Sequence, residues 1–340
     1  MASAADVVQH LLAVQSQDYP NAKWAVAQRL DGVDEAALDR AFDAGDIVRT
    51  HVLRPTWHFV APEDLRWLLQ LTGPRVHQAS GYQYRLLEID AALAARARAV
   101  FEKALRGGVA LTRDELGGRM IEAGIEAKGL RLAYLVGHAE LEGLICSGPR
   151  RGKRQTYALV DERVPPAPPR TRDEALAELA RRYVEGHGPA QAADLAWWSG
   201  LTVSDARIAL ESASPPLHRE TVGERSFWVS PDAPVAPEDG PLVRLLPNYD
   251  ELLIAFRDRS DAMDQALPPP ARVAQVVLAH VVTRDGLVVG GYRRRDEPRS
   301  TRLDLDLLVT LDERERAAVR AQIDRFAAFL GRPVEVAGLD

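Results

Sequence analysis

The pattern of apolar and polar positions predicts helices at the start of the chain. Between residues 7 and 14, apolar side chains recur every three or four positions, as on the buried face of a helix that ends near Asp18. Asp18 is a suitable N-cap for a second helix, with Pro20 in its first turn. Two amides, Gln15 and Gln17, stand where the first helix should complete its apolar stripe, so they are candidates for a chemical role.

A third helix and a hairpin are expected next. Residues 35–44 have helical periodicity and are closed by Gly45, whereas residues 47–60 form a β-rich run that bends at Arg54-Pro55. Three helices followed by a hairpin is the order typical of a winged helix-turn-helix unit. We therefore predict the first such unit over residues 1–104.

The same order recurs in the next part of the chain. Thr112 and Glu115 have the spacing of a capping box at the start of one helix, and a second helix is expected over residues 129–143. A hairpin with a basic tip follows. These elements predict a second winged unit over residues 105–164. Its tip carries the cations Arg150, Arg151, Lys153 and Arg154.

A proline-rich stretch at residues 165–169 has the composition of a stiff linker, and the helices and hairpin after it predict a third winged unit over residues 165–240. From residue 241 onward the pattern changes to strands with a closing helix, which predicts a small β-barrel-like C-terminal domain over residues 241–340. The fold class is therefore α+β. The expected strands lie at residues 242–246, 276–282, 287–292 and 305–311, with a turn at Asp285-Gly286 and a helix over 313–330.

Composition narrows the class of protein. The 340 residues are 46% hydrophobic and 27% charged, as in ordinary soluble globular proteins. No apolar run approaches the roughly 18 residues that cross a bilayer, and the N-terminus lacks a signal-peptide pattern. One cysteine, Cys146, excludes an intramolecular disulfide. We therefore expect a cytoplasmic protein with no membrane partner.

Charge is distributed unevenly along the chain. The net charge of −6 counts against a uniformly basic nucleic-acid binder, but phosphate contact requires only one basic face. The basic tip of the second unit and the run Arg293–Arg295 are local clusters of this kind. For either cluster taken alone, a solvated charged face is an equally good interpretation.

Several familiar motifs are absent from the sequence. It contains no Walker A motif, no Gly-rich dinucleotide turn and no Gly-x-Ser-x-Gly elbow. The eight histidines are scattered without a His-x-x-x-His pair, so we expect no metal site and no cofactor. The remaining candidates for chemistry are the two amides and the polar hairpin after residue 53.

Three motifs together resemble a known family. Gln-x-Gln-Asp at residues 15–18, Arg-x-Thr-x-His at 54–58 and Leu-Leu-Pro-Asn-Tyr-Asp-Glu at 245–251, with Arg-Asp-Arg at 257–259, are similar to the AlkZ/YcaQ superfamily of bacterial winged-helix DNA glycosylases. The resemblance implies a C-shaped DNA-binding surface made of three winged helices and the C-terminal domain. It also implies excision of alkylated bases, including the unhooking of interstrand crosslinks at N7-alkylguanine. The family's Gln-aliphatic-Gln signature maps catalysis onto Gln15 and Gln17, with Ser16 departing from the aliphatic position.

Amides suit this reaction for a physical reason. Glutamine has no useful pKa and cannot act as a general base, but a cationic N7-alkylguanine is already a good leaving group. What remains is to hold a water near C1′ and to stabilise an oxocarbenium ion, which carbonyl oxygens can do. We expect Gln17 to position the water and Gln15 to support the oxocarbenium ion or its water, in a monofunctional glycosylase without Schiff-base chemistry. Residues two apart on an ideal helix diverge by about 200°, so the amides should share a pocket only at a helix end.

The expected partner is double-stranded DNA, alkylated or crosslinked, bound by a monomer. Candidate DNA contacts are the hairpin residues Arg54, Thr56 and His58 together with the four basic-tip residues of the second unit. Structural roles are the alternative for Arg54, for His58 and for the amide pair. The alternative function is a non-catalytic winged-helix DNA-binding protein such as a transcriptional regulator. Asp250 is expected to tie the C-terminal domain to the winged units.

Overall fold

The computed structural model describes residues 1–233, 241–264, 266–267 and 280–339 of the chain. Its first segment contains three helices and a small antiparallel sheet of order β1-β3-β2. The caps predicted for the second and third helices are confirmed, since Asp18 accepts from the Asn21 N–H and Gly45 is left-handed at φ 92°. These elements are α1 (Ala4–His10), β1 (Ala13–Gln15), α2 (Tyr19–Ala27), α3 (Glu35–Ala44), β2 (Val48–His51) and β3 (Trp57–Val60).

The prediction of one helix over residues 7–14 is wrong in its second half. Helix α1 ends at His10, and Leu12 adopts a positive φ of 63° that breaks the helix. Residues 13–15 then pair with β3, Ala13 opposite Val60 and Gln15 opposite His58. Val7 and Val8 of α1 and Ala13 and Val14 of the strand are all buried, so the spacing alone did not separate the two elements. The available sheet edge decided the conformation.

A long helix, α4 (Pro62–Leu86), leads into the second segment. The capping box at Thr112 and Glu115 is present as predicted. Helix α5 packs with α6 and α7 in one core that contains Phe101 and Met120. The boundary that the sequence placed after residue 104 therefore falls at the end of a helix of this core. The elements are α5 (Ala91–Leu105), β4 (Leu111–Thr112), α6 (Arg113–Glu122), α7 (Gly129–Leu141), β5 (Ile145–Arg151) and β6 (Arg154–Leu159).

The third segment repeats the helix and hairpin pattern. Ala190 pairs with Trp228 as an isolated bridge, so a third extended stretch lies beside the hairpin. The helices and hairpin predicted after the proline-rich linker are present. A short helix, α8 (Val160–Arg163), precedes the linker, and the elements after it are α9 (Arg172–His187), α10 (Ala192–Ser199), α11 (Val203–Glu211), β7 (His218–Val222) and β8 (Arg225–Val229).

The C-terminal segment is an open sheet, not the barrel-like domain that the sequence suggested. Its five strands have the order β13-β12-β11-β10-β9, and within the described residues β9 and β13 remain separate edges. The turn at Asp285-Gly286 is confirmed, whereas the part of the predicted strand at residues 276–279 lies outside the described residues. The elements are β9 (Val243–Leu246), α12 (Glu251–Ile254), a 3₁₀ turn (Ser260–Ala262), β10 (His280–Arg284), β11 (Leu287–Asp296), β12 (Thr301–Leu307), α13 (Glu313–Leu330) and β13 (Val334–Ala337).

Helix α13 explains why this sheet stays open. It covers one face of the sheet and presents Phe326 and Phe329 to Trp24 of α2, at ring centroid distances of 4.7 and 5.3 Å. The Trp24 indole N–H also donates to the Leu245 carbonyl at 2.7 Å. The apolar face of the sheet is therefore buried by a helix and by the first segment, so closure on itself is not needed to cover it.

Charged contacts fix the same interface. Asp250 is buried and accepts from Arg29 at 2.7 Å and from the Gln28 amide at 3.0 Å. The prediction that Asp250 ties the C-terminal segment to the first unit is confirmed. Within the described residues, no helix combines the length and the apolar composition that crossing a membrane requires.

Candidate active site

The amide motif lies on an extended stretch beside a hairpin. Gln15 is the last residue of β1, and the Ser16 N–H continues the pairing by donating to the Trp57 carbonyl at 2.7 Å. Gln17 follows at the bend after this strand. The motif therefore lies on a strand and the bend that follows it, and the expectation that the two amides lie at the end of a helix is wrong.

Ser16, the residue between the amides, is fully buried and is held by an arginine. Arg49 donates to the Ser16 carbonyl from Nε at 3.0 Å and from Nη2 at 2.8 Å, and its Nε lies 3.3 Å from the Ser16 hydroxyl. The guanidinium lies 4.3 Å from the centre of the Trp57 ring. Burial lowers the pKa of Arg49, but a guanidinium keeps its charge at physiological pH. Polar contacts thus anchor the position that an aliphatic residue occupies in the family signature.

A buried carboxylate supports the backbone of the motif from behind. Glu251, at the start of α12, is 1% exposed and accepts from the Gln15 N–H at 2.7 Å. Its second oxygen accepts from the Trp198 indole at 2.9 Å and lies 3.5 Å from Nε2 of His187. Burial by itself would raise the pKa of Glu251, but the His187 imidazole and the Gln15 N–H outweigh it and hold the pKa below its ordinary value. Glu251 is therefore ionised at neutral pH.

Arg54 holds the side chain of Gln15. Its Nη2 donates to Gln15 Oε1 at 3.1 Å, and its guanidinium lies 5.6 Å from the centre of the exposed Trp197 ring. The Gln15 side chain is almost completely buried. Gln15 is thus fixed at both its backbone and its carbonyl oxygen, so its amide is a rigid part of the site.

Gln17 differs from Gln15 in its freedom. It is exposed, and its amide makes no hydrogen bond to any part of the chain that the structure describes. It lines a cavity of about 260 Å³ that lies between the β2–β3 hairpin, α4 and α7. The walls carry Trp57, Tyr84 and Tyr134, and Arg113 contributes a cation. An amide that faces an aromatic cavity and solvent is placed to hold a water or a polar ligand atom.

His58 is placed differently from what the sequence predicted. It has no exposed surface, and Nδ1 lies 3.0 Å from the Thr56 carbonyl, to which it donates. Burial, reinforced by the charge of Arg54, lowers the pKa of His58 to about 3, so the imidazole is neutral at physiological pH. A neutral side chain without exposed surface cannot contact a phosphate from this position. Thr56 is half-buried on the same hairpin.

Carboxylates neutralise most of the basic tip of the second unit. Arg150 donates to Asp39 of α3 at 3.0 Å and is 14% exposed at its side chain. Arg151 is paired with Glu115, and Arg154 lies 3.4 Å from Asp114. Lys153 is exposed and forms no ion pair with a residue of the described ranges. Among the residues that the structure describes, the tip therefore presents one unpaired cation, where the sequence suggested four.

Sequence reasoning did not select two residues that organise the site. Glu251 ends the Leu-Pro-Asn-Tyr-Asp-Glu motif, but nothing in the motif shows that it contacts a residue 236 positions earlier. Arg49 is a charged residue flanked by Val48 and Thr50 in a buried strand. A single charged residue inside a buried strand indicates a structural contact, because a buried arginine requires hydrogen-bond acceptors. This signal could have identified Arg49 from the sequence.

Comparison with known proteins identifies the family of the chain. Residues 8–329 match the family described as DNA glycosylase AlkZ-like. The match spans nearly the whole chain, and the chain therefore belongs to the AlkZ-like DNA glycosylase family.

Two comparisons with individual proteins support this membership. The chain is 27% identical over 376 residues to the interstrand DNA cross-link repair glycosylase of Streptomyces sahachiroi, with 99% of this chain and 92% of that protein covered. The solved structure of Streptomyces sahachiroi DNA glycosylase AlkZ superposes with a TM-score of 0.79 at 23% identity, covering 99% of this chain and 94% of that one. The mixed α+β fold is therefore shared across the full length.

Proposed function

We propose that this protein is a monofunctional DNA glycosylase that hydrolyses the N-glycosidic bond of cationic alkylpurines, including N7-alkylguanine crosslinks. Family membership supports the reaction class. The observation that carries the proposal is the different state of the two amides. Arg54 and Glu251 fix Gln15, whereas the Gln17 amide, at the edge of an aromatic cavity, makes no hydrogen bond with the described residues.

The proposed reaction needs no general base. The bond between C1′ and the purine N9 breaks, and its electron pair neutralises the positive charge of the alkylated base. The sugar becomes an oxocarbenium ion, which the Gln17 carbonyl oxygen stabilises while it holds the attacking water. The water adds to C1′ and releases its proton to solvent. Undamaged bases are neutral and poor leaving groups, so the same site should leave them intact.

The cavity size bears on how the lesion is reached. At about 260 Å³ it lies just below the usual size range of small-molecule pockets. A crosslinked nucleotide with its second strand attached cannot be enclosed in such a volume. We propose that the lesion is met at the cavity mouth without full extrusion of the nucleotide, which suits a bulky substrate.

We propose that the first three segments are winged-helix units that bind duplex DNA as a monomer. In each, an extended stretch is followed by two helices and a hairpin, and the stretch pairs with that hairpin. Arg54, Thr56 and Lys153 are the proposed phosphate contacts, joined by Arg151 and Arg154 when these exchange their carboxylate partners for DNA. Arg150 receives a structural role because its side chain is only 14% exposed and is paired with Asp39, and His58 receives one because it is fully buried. Repair of chromosomal DNA would place the protein in the cytoplasm.

The test is release of base from defined DNA. Excess protein is incubated with a duplex that contains 7-methylguanine, and free base and alkali-labile abasic sites are measured while binding is followed by fluorescence anisotropy. We expect release from this duplex and none from the undamaged one. We also expect no covalent product with borohydride, since no Schiff base forms. Intact binding without release would refute the enzyme and leave a non-catalytic DNA-binding protein.

A further inference from the structure

Two helices bring three potential metal ligands together beside the cavity. His77 lies on α4, and His138 and Glu142 lie four residues apart on α7 and its C-cap. One ligand atom from each of the three residues lies within 4.8 Å of the other two. Residues four apart share one face of a helix, so the α7 pair faces His77 as a unit.

The close approach of the helices is built into their packing. Gly73 of α4 faces the Leu141 carbonyl of α7, and a Cβ at Gly73 would lie only 3.2 Å from that oxygen. One turn further along α4, the rings of His77 and His138 have centroids 4.6 Å apart. The absence of a side chain at Gly73 therefore permits the helix separation that brings the two imidazoles together.

The hydrogen bonding of His77 identifies the ligand atom. Its Nδ1 lies 2.9 Å from the Tyr84 hydroxyl, and this contact orients the ring. Its Nε2 is buried and lies 3.0 Å from Glu142 Oε1, yet has no hydrogen-bond partner of good geometry in the described structure. One nitrogen of this imidazole is thus held by a hydrogen bond, and the other lies close to a carboxylate oxygen without bonding to it. Two ligands that bind the same cation have this arrangement.

We propose that His77, His138 and Glu142 form a binding site for a divalent transition metal, with Zn²⁺ as the best match. Two imidazoles and one carboxylate are a common zinc donor set, and water completes the tetrahedron. Bond lengths of about 2.1 Å separate tetrahedral ligand atoms by roughly 3.4 Å, so the observed contacts require small side-chain shifts. Glu142 is the ligand best able to move, since 46% of its side chain is exposed.

The consequence of metal binding would be mechanical. A cation at this site joins α4 to α7, and these helices form two walls of the cavity that Gln17 also lines. The sequence offered no His-x-x-x-His pair because the two imidazoles come from different helices. The folded chain should bind the metal without DNA, so metal binding can be tested separately from glycosylase activity.

The test uses protein freed of metal with a chelator and then titrated with Zn²⁺ in competition with a chromophoric chelator. The variants are His77→Ala and His138→Ala, and the matched control is His218→Ala, which removes an exposed histidine of β7. We expect one Zn²⁺ per chain in the wild type and control, with affinity lowered at least about tenfold in both site variants. Zn²⁺ should also raise the melting temperatures of the wild type and the control, but not those of the site variants.

Folding is controlled by circular dichroism in the presence of chelator. Should an alanine variant fail to fold, Glu142→Gln replaces it, since this exposed position tolerates an amide and loses the anionic ligand. Co²⁺ provides a spectroscopic check, because tetrahedral coordination gives intense visible absorption that the site variants should lack. Equal Zn²⁺ binding by the wild type and the site variants, or no binding by the wild type, overturns the proposal.

Discussion

Glu251→Gln tests the support that holds the amide motif in place. The carboxylate accepts from the Gln15 N–H with one oxygen and from the Trp198 indole with the other. Glutamine has nearly the same shape but only one acceptor oxygen, and its NH₂ end must face one of these two donors. The substitution therefore removes a buried charge and leaves one buried N–H without an acceptor.

The magnitude follows from these losses. A hydrogen bond to a charged group contributes about 1.5–3 kcal/mol, and an unsatisfied buried donor costs about 1–3 kcal/mol. Removal of the desolvated charge offsets part of this sum. We expect Glu251→Gln to lower the free energy of unfolding by about 2–4 kcal/mol near neutral pH. Glu102→Gln, at an exposed pair with Arg106, should lower it by no more than about 0.5 kcal/mol.

The pH dependence gives a second measurement on the same variants. Because the folded pKa of Glu251 lies below 4.5, its contribution is complete above pH 4.5 and is lost as pH falls through the folded pKa. Urea unfolding followed by tryptophan fluorescence should show a gap between wild type and Glu251→Gln that closes in acid. Equal unfolding midpoints near neutrality, or a gap that widens in acid, would refute the role given to Glu251.

Three further predictions address other parts of the molecule. The pKa of His58 is about 3 in the folded protein and 6.5 in the unfolded chain, so the wild type should lose up to about 5 kcal/mol of folding free energy as pH falls from 6.5 to 3. Urea titrations of His58→Gln should not show this loss. Gly200→Ala puts a Cβ against the Leu53 carbonyl at a φ of 72° and should lower the stability by about 2–5 kcal/mol. Gly223→Ala has a left-handed backbone but no atom near its Cβ, and should lower the stability by about 1 kcal/mol. Similar melting temperatures for the two variants would contradict this. Lys153→Ala should weaken duplex binding and reduce the salt slope by about 1 in anisotropy titrations, and an unchanged slope would remove it from the interface.

Local patterns predicted the parts of the fold that local interactions determine. The caps of α2, α3 and α6 and the turn at Asp285-Gly286 depend on a few neighbouring residues, so their residue types were sufficient. The short strand β1 was missed because its apolar residues continue the spacing of α1. Only the edge of β3, more than forty positions away, makes the extended conformation favourable.

The sequence predicted only part of the site, because local patterns do not show contacts between distant segments. The amides were recognisable from sequence, but the contacts that distinguish them come from distant segments: Arg54 from the hairpin and Glu251 from the C-terminal segment. For the basic tip, the sequence overestimated the number of unpaired cations. Its cations are adjacent in sequence, whereas the carboxylates that neutralise three of them come from α3 and α6.

The most direct test of the central claim is the rate of base release by Gln17→Ala under single-turnover conditions at saturating protein. Gln17 is exposed and its amide makes no hydrogen bond within the described ranges of the chain, so its removal should leave folding and duplex affinity nearly unchanged. We predict a rate lowered roughly a hundredfold or more, as for the loss of a group that positions a reactant or stabilises developing charge. Gln78→Ala, an exposed glutamine of α4, should retain the wild-type rate. A wild-type rate for Gln17→Ala on 7-methylguanine DNA would contradict the catalytic role of the amide.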